Sequence, residues 1–174
     1  MRGVDTRRVS LLGVLVALAL ALHVIEAQIP APLPWVRPGL ANLMTLVALL
    51  SVGWRAALLV TLLRVVIGSL LVGSFLGPGF LLSLAGGMAS TAVMALMAPG
   101  AWRIWSPLAV SAAGAVAHGA AQLLALRALQ LLPSGDLSWL VPLVLVPALV
   151  AGLFTGLLGN VVLLRMKDHL RTAG

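Results

Sequence analysis

Apolar blocks of roughly twenty residues follow one another along the chain, separated by short interruptions rich in proline, glycine or arginine. A helix of that length crosses about 30 Å of hydrocarbon at about 1.5 Å per residue. The pattern predicts helices over 9–28, 39–52, 54–73, 79–98, 106–132 and 138–164. Stretches such as Leu11 to Leu22 are apolar on every face. Strict alternation would mark a β-barrel, so the expected fold is all-α, a polytopic membrane bundle of about six transmembrane helices in a single domain, residues 1–174.

The interruptions have physical causes. Pro30, Pro32, Pro34 and Pro38 cannot sustain a helix, Gly77-Pro78-Gly79 forces a turn, Pro99-Gly100 ends the fourth helix and Pro133-Ser134-Gly135 the fifth. Helix 2 is short and is separated from helix 3 only by Gly53 and Trp54. Arg7-Arg8 ahead of an apolar run resembles a secretory or twin-arginine signal, yet no convincing small-residue cleavage site follows, and helix 1 is expected to be retained.

Composition agrees with this reading. With 61% hydrophobic and 9% charged residues the chain cannot clothe a soluble domain in polar groups. Its net charge of +7 would suggest nucleic acid in a soluble protein, but the cations lie between and beside the apolar blocks. Arg2, Arg7, Arg8, Arg55, Arg103, Arg165, Lys167 and Arg171 fall on one side, and the opposite loops hold Arg37 alone. The positive-inside rule then predicts both ends in the cytoplasm, in a bacterial-type inner membrane, with lipid rather than nucleic acid as the bulk partner. Trp54, Trp102 and Trp105 fall at the inner interface and Trp35 and Trp139 at the outer one.

Ionisable groups within the apolar blocks are costly in lipid and are the candidate functional residues. Arg64 lies about ten residues into helix 3, near the midplane, and Glu26 is the acidic residue of helix 1 that suits it as a partner. A structural ion pair and a ligand site are both open readings. On helix 5, Ser111, His118 and Gln122 share a face with Gly114 between them, and Arg127 follows. Interhelical hydrogen bonding is the plainer account of that stripe. Traced through helices of alternating direction, His23, Glu26, Asn42, Thr45, Ser83, Gln122 and Arg127 fall in the outer half, with Arg64 and His118 near the middle. An outward-opening polar cavity is implied. If Arg37, Arg64 and Arg127 all line it against Glu26, it is net positive and suits an anionic ligand; Arg37 and Arg127 facing headgroup phosphates is the alternative. The proline-rich loop bearing Trp35 is stiff enough to cap such a cavity or is simply a constrained connection. Gly13, Ala17 and Ala21 on helix 1, and Gly152 and Gly156 on helix 6, permit close helix approach.

The chain has no cysteine and four scattered acidic residues, Asp5, Glu26, Asp136 and Asp168. It lacks the clustered aspartates that hold magnesium against a diphosphate, a P-loop lysine, HExxH and GxSxG. An enzyme is not expected, nor any metal or cofactor.

The run from Glu26 to Asn42 (EAQIPAPLPWVRPGLAN), then Arg64, Ser83 with Gly86-Gly87, and Ser111 through Gly114, Ala115 and His118 to Gln122, resembles the Gx transporter family, also named heptaprenyl diphosphate synthase component I. The resemblance spans nearly the whole chain. It implies a likeness to the substrate-binding components of energy-coupling factor transporters: six helices and an outward-facing site capped by the loop after helix 1. It also implies that Ala17 and Ala21 meet a transmembrane coupling subunit, and that the cargo is a flavin (riboflavin, FMN or FAD) handled with a flavin-transfer system. The older name implies instead a membrane accessory of isoprenoid diphosphate synthesis. The Gly159-Asn160 pair and the basic tail of helix 6 match no family role.

Overall fold

The computed structural model describes residues 6–29, 39–131 and 138–172. Six α-helices and one short 3₁₀ turn make up the described residues, with no strand among them. They are α1 (Thr6–Gln28), α2 (Ala41–Ser51), α3 (Trp54–Val72), α4 (Pro78–Met97), α5 (Pro107–Ala128) and α6 (Leu140–Thr172). All but α2 contain a segment long and apolar enough to cross a membrane.

Local chemistry sets the boundaries. Gly53 separates α2 from α3 at φ +122, a backbone conformation that side chains rarely tolerate. Pro78 and Pro107 occupy the first turns of α4 and α5, where a missing N–H costs nothing, and the Ser106 hydroxyl accepts from the Ala109 N–H at 3.1 Å. α5 stops at Ala128, four residues short of the sequence expectation. Its end is closed by a Leu131 N–H bond to the Leu126 carbonyl across Gln130 at φ +53, so the helix terminates before Pro133 is reached. α6 runs on to Thr172 rather than 164, because the charges that end the apolar segment do not end a helix.

α2 is the centre of the bundle. It touches all five other helices, and residues 43–49 are buried on every side. Its 11 residues reach about 16 Å, half of a hydrocarbon core, so it does not span a bilayer by itself. α1 and α3 pack against it and against each other, α6 packs against it as well, and α4 and α5 join α3 to α6.

Lipid tails are as apolar as leucine, so helices in a membrane are held by close packing and hydrogen bonds rather than by hydrophobic exclusion. The α5–α6 contact shows this. A Cβ on Gly152 would lie 2.6 Å from the Ala115 Cβ, and one on Gly156 would lie 2.7 Å from the Leu108 Cα. Ser111 donates to or accepts from Thr155 at 3.0 Å in the same seam. The helix 6 glycines therefore pack a neighbour within the chain.

Gly156→Ala should destabilise the bundle by about 1–3 kcal/mol, since backbone rather than a movable side chain stands in the way. Gly13→Ala, with nothing within 4 Å of the added carbon, should be neutral or stabilising by up to about 1 kcal/mol. Reversible unfolding of both variants in mixed detergent micelles measures the difference.

Candidate functional site

A cavity of about 130 Å³ lies at the end of the bundle where α1, α3 and α5 finish and α2, α4 and α6 begin. Each helix supplies part of its wall at its own spacing. α1 gives His23 and Glu26, three apart on one face, and α5 gives Ala115, His118, Gly119 and Gln122 along a single stripe. Asn42 comes from the first turn of α2, Arg64 and Ser69 from α3, and Leu82 and Ser83 from α4. The α6 side is apolar, made by Val144, Ala148 and Ala151.

Arg64 is only 4% exposed. Its Nη2 donates to the Asn42 side-chain oxygen at 3.3 Å, while its Nε has no hydrogen-bond partner. Glu26 is within electrostatic reach of it, but the Glu26 carboxylate also accepts the backbone N–H of Leu40. That bond ties the end of α1 to the start of α2. Nδ1 of His118 is likewise buried and without a partner. Below the cavity, one turn inward from Asn42 and Arg64, the hydroxyls of Thr45, Thr61 and Thr91 join α2, α3 and α4 at 3.2 and 2.8 Å. They form a polar floor.

Three glycines seat the large polar side chains. A Cβ on Gly68 would lie 2.5 Å from the His23 ring, one on Gly86 would lie 2.7 Å from the His118 ring, and one on Gly87 would lie 3.0 Å from Thr61 and 3.4 Å from Nη2 of Arg64. Each side chain thus occupies the volume that a side chain at the facing glycine would fill. His23, which its depth already grouped with the polar residues of the outer half, lines the cavity, and Ser69 and Gly68 belong to this arrangement although the sequence does not single them out as site residues. The signal for His23 is its position three residues before Glu26 on one helical face.

Glu26, Asn42, Arg64, Ser83, His118 and Gln122 are brought together in this wall. Trp35 and Arg37 lie outside the described residues. Arg127 is exposed and is not among the lining residues, because five residues after Gln122 turn the helix by about 140° away from the cavity stripe. Ser111 bonds to α6 and belongs to the seam. Ala17 and Ala21 are exposed on the outer face of α1. Trp54, Trp102, Trp105 and Trp139 are also exposed, and the Arg55 guanidinium lies 5.3 Å from the Trp54 ring centroid.

The fold and the cavity together define a multi-pass α-helical membrane protein with a polar pocket enclosed by its helices. Residues 15–162 match the sequence model of the heptaprenyl diphosphate synthase component I family, and the chain belongs to that family. Comparison with curated proteins and with solved structures found no match.

Gly68→Ala and Gly86→Ala should each shift the imidazole ¹⁵N resonances of the facing histidine, His23 and His118 respectively, while leaving the other ring where it was. Nitrogen NMR of histidine-labelled protein in micelles reads both.

Proposed function

We propose that this protein is a solute-binding or transport component of the cytoplasmic membrane, built like the substrate-binding components of energy-coupling factor transporters. The observation that carries this reading is Arg64: a buried guanidinium with an unpartnered Nε, in the wall of a polar cavity, inside helices that otherwise meet lipid. Such a group is expensive to keep in a membrane and is retained where a ligand uses it. Arg8, Arg55, Arg103 and Arg165 gather at the end of the bundle opposite the cavity. By the positive-inside rule that end faces the cytoplasm, both termini are inside and the cavity opens outward. The exposed Ala17 and Ala21 face of α1 is where a transmembrane coupling subunit would dock.

The cargo is a small anionic metabolite. A flavin is what the family resemblance implies, and it makes a demand on the site. A cavity of about 130 Å³ falls below the roughly 300–1,000 Å³ that drug-sized ligands occupy, so a flavin requires the helices to open further. The second reading, a membrane accessory of isoprenoid diphosphate synthesis, has the family's name in its favour. Against it stands the chemistry of diphosphates, which are held through a divalent cation by several carboxylates, where the described cavity wall offers Glu26 alone.

Arg64→Ala should weaken ligand binding by at least about 30-fold, the equivalent of about 2 kcal/mol for loss of a buried charged contact, while the protein still inserts and purifies. Titration of purified protein with riboflavin, FMN, FAD and farnesyl diphosphate, followed by tryptophan fluorescence and calorimetry, tests the reading. Binding of farnesyl diphosphate alone, with copurification of a prenyl synthase, would replace transport by the accessory role.

A further inference from the structure

We propose that the cavity selects a small monocarboxylate with a compact apolar body, the carboxylate seated on Arg64 and the body against α6. The inference rests on the solute-binding reading and narrows its cargo.

Three observations converge on it. The first is charge. Arg127 is exposed away from the cavity, so the Asp, Glu, Lys and Arg side chains among the described lining residues are Arg64 and Glu26, of opposite sign. A monocarboxylate places its one charge on Arg64, whereas the second charge of a dianion such as a phosphate monoester meets no further cation among the described lining residues. Electrostatic cost rises steeply with each such charge at low dielectric.

The second is geometry. Arg64 donates from Nη2 to Asn42 over a long 3.3 Å contact and its Nε donates to nothing, so most of its fork of five donors is unspent. A planar carboxylate matches such a fork, and the buried, unpartnered Nδ1 of His118 is a further polar group in the same wall. The third is shape. The wall opposite the polar helices is Val144, Ala148 and Ala151, with Leu82 and Ala115 at its edges, and no phenylalanine or tryptophan is among the described lining residues. Such a wall packs a compact hydrocarbon group and provides no stacking platform for a three-ring system. The volume of about 130 Å³ sets the same limit.

Isothermal calorimetry on the full chain in detergent micelles tests this with butyrate and benzoate, their neutral counterparts butyramide and benzamide, inorganic phosphate and FMN. The acids should bind at least tenfold tighter than the amides and tighter than phosphate or FMN. Arg64→Gln, which removes the cation, should lower acid affinity at least tenfold, and an unchanged helical circular dichroism spectrum with monodisperse elution shows the variant to be folded. Ala148→Leu should cut benzoate affinity at least tenfold and spare butyrate. Amides binding as well as acids, or phosphate or FMN outcompeting both acids, would overturn the monocarboxylate assignment and leave solute binding intact. Failure of a folded, monodisperse protein to bind any of these or farnesyl diphosphate would overturn the solute-binding reading along with it.

Discussion

Close approach of helices at glycine is the contact on which the rest of this structure depends. In lipid there is no gain from hiding leucine against leucine, so helices stay together where backbones come near enough for dispersion and hydrogen bonding to add up. Gly152 and Gly156 bring α6 onto α5 and place Ser111 beside Thr155. The same device works at the cavity with a different occupant. At Gly68 and Gly86 the space goes to an imidazole, and at Gly87 to a threonine methyl and a guanidinium. Packing and site construction are therefore one process, and a single added carbon at these glycines disturbs both.

Arg64 illustrates how the bundle tolerates a cation near its middle. The guanidinium lies above a floor of three hydroxyls, beside Asn42 and within reach of Glu26, so its surroundings are polar even though the helices carrying them are not. The support is incomplete, since Nε finds no partner. An unsatisfied buried donor costs about 1–3 kcal/mol, and removing that cost is a contribution any acceptor-bearing ligand makes on entering. Glu26 acts in two ways. Its bond to the Leu40 N–H fixes where α2 starts relative to the end of α1, and its charge offsets that of Arg64. Fold and electrostatics meet in this one carboxylate.

Much of this was legible in the sequence. The apolar blocks and their proline and glycine breaks place all six helices to within a few residues, apart from the ends of α5 and α6. Depth along helices of alternating direction grouped Glu26, Asn42, Arg64, Ser83, His118 and Gln122 before any coordinate did. What escaped depends on information that a linear pattern does not hold. Gln130 in a left-handed conformation ends α5 early, and nothing in a run of alanine and leucine announces it. Arg127 has the right depth but the wrong azimuth, and depth alone does not distinguish the two. For Ser111 the plainer account, interhelical hydrogen bonding, holds, through its bond to Thr155 on α6. Depth also grouped His23, but its seat against Gly68 on another helix is visible only once α1 and α3 are packed.

The length of α2 explains why there is a cavity at all. A helix that touches every other helix in the bundle occupies its axis, and a full-length one would fill that axis from one face of the membrane to the other. α2 begins at Ala41 and reaches about 16 Å, and the cavity lies beyond its first turn, walled by the other five helices. The polar groups follow from that geometry. Asn42 stands at the edge of the cavity, and the neighbouring helices turn their histidine, serine, glutamine and arginine side chains inward, where they avoid lipid. The shortness of helix 2, which makes it the least typical membrane helix of the six, is the feature from which the site arises.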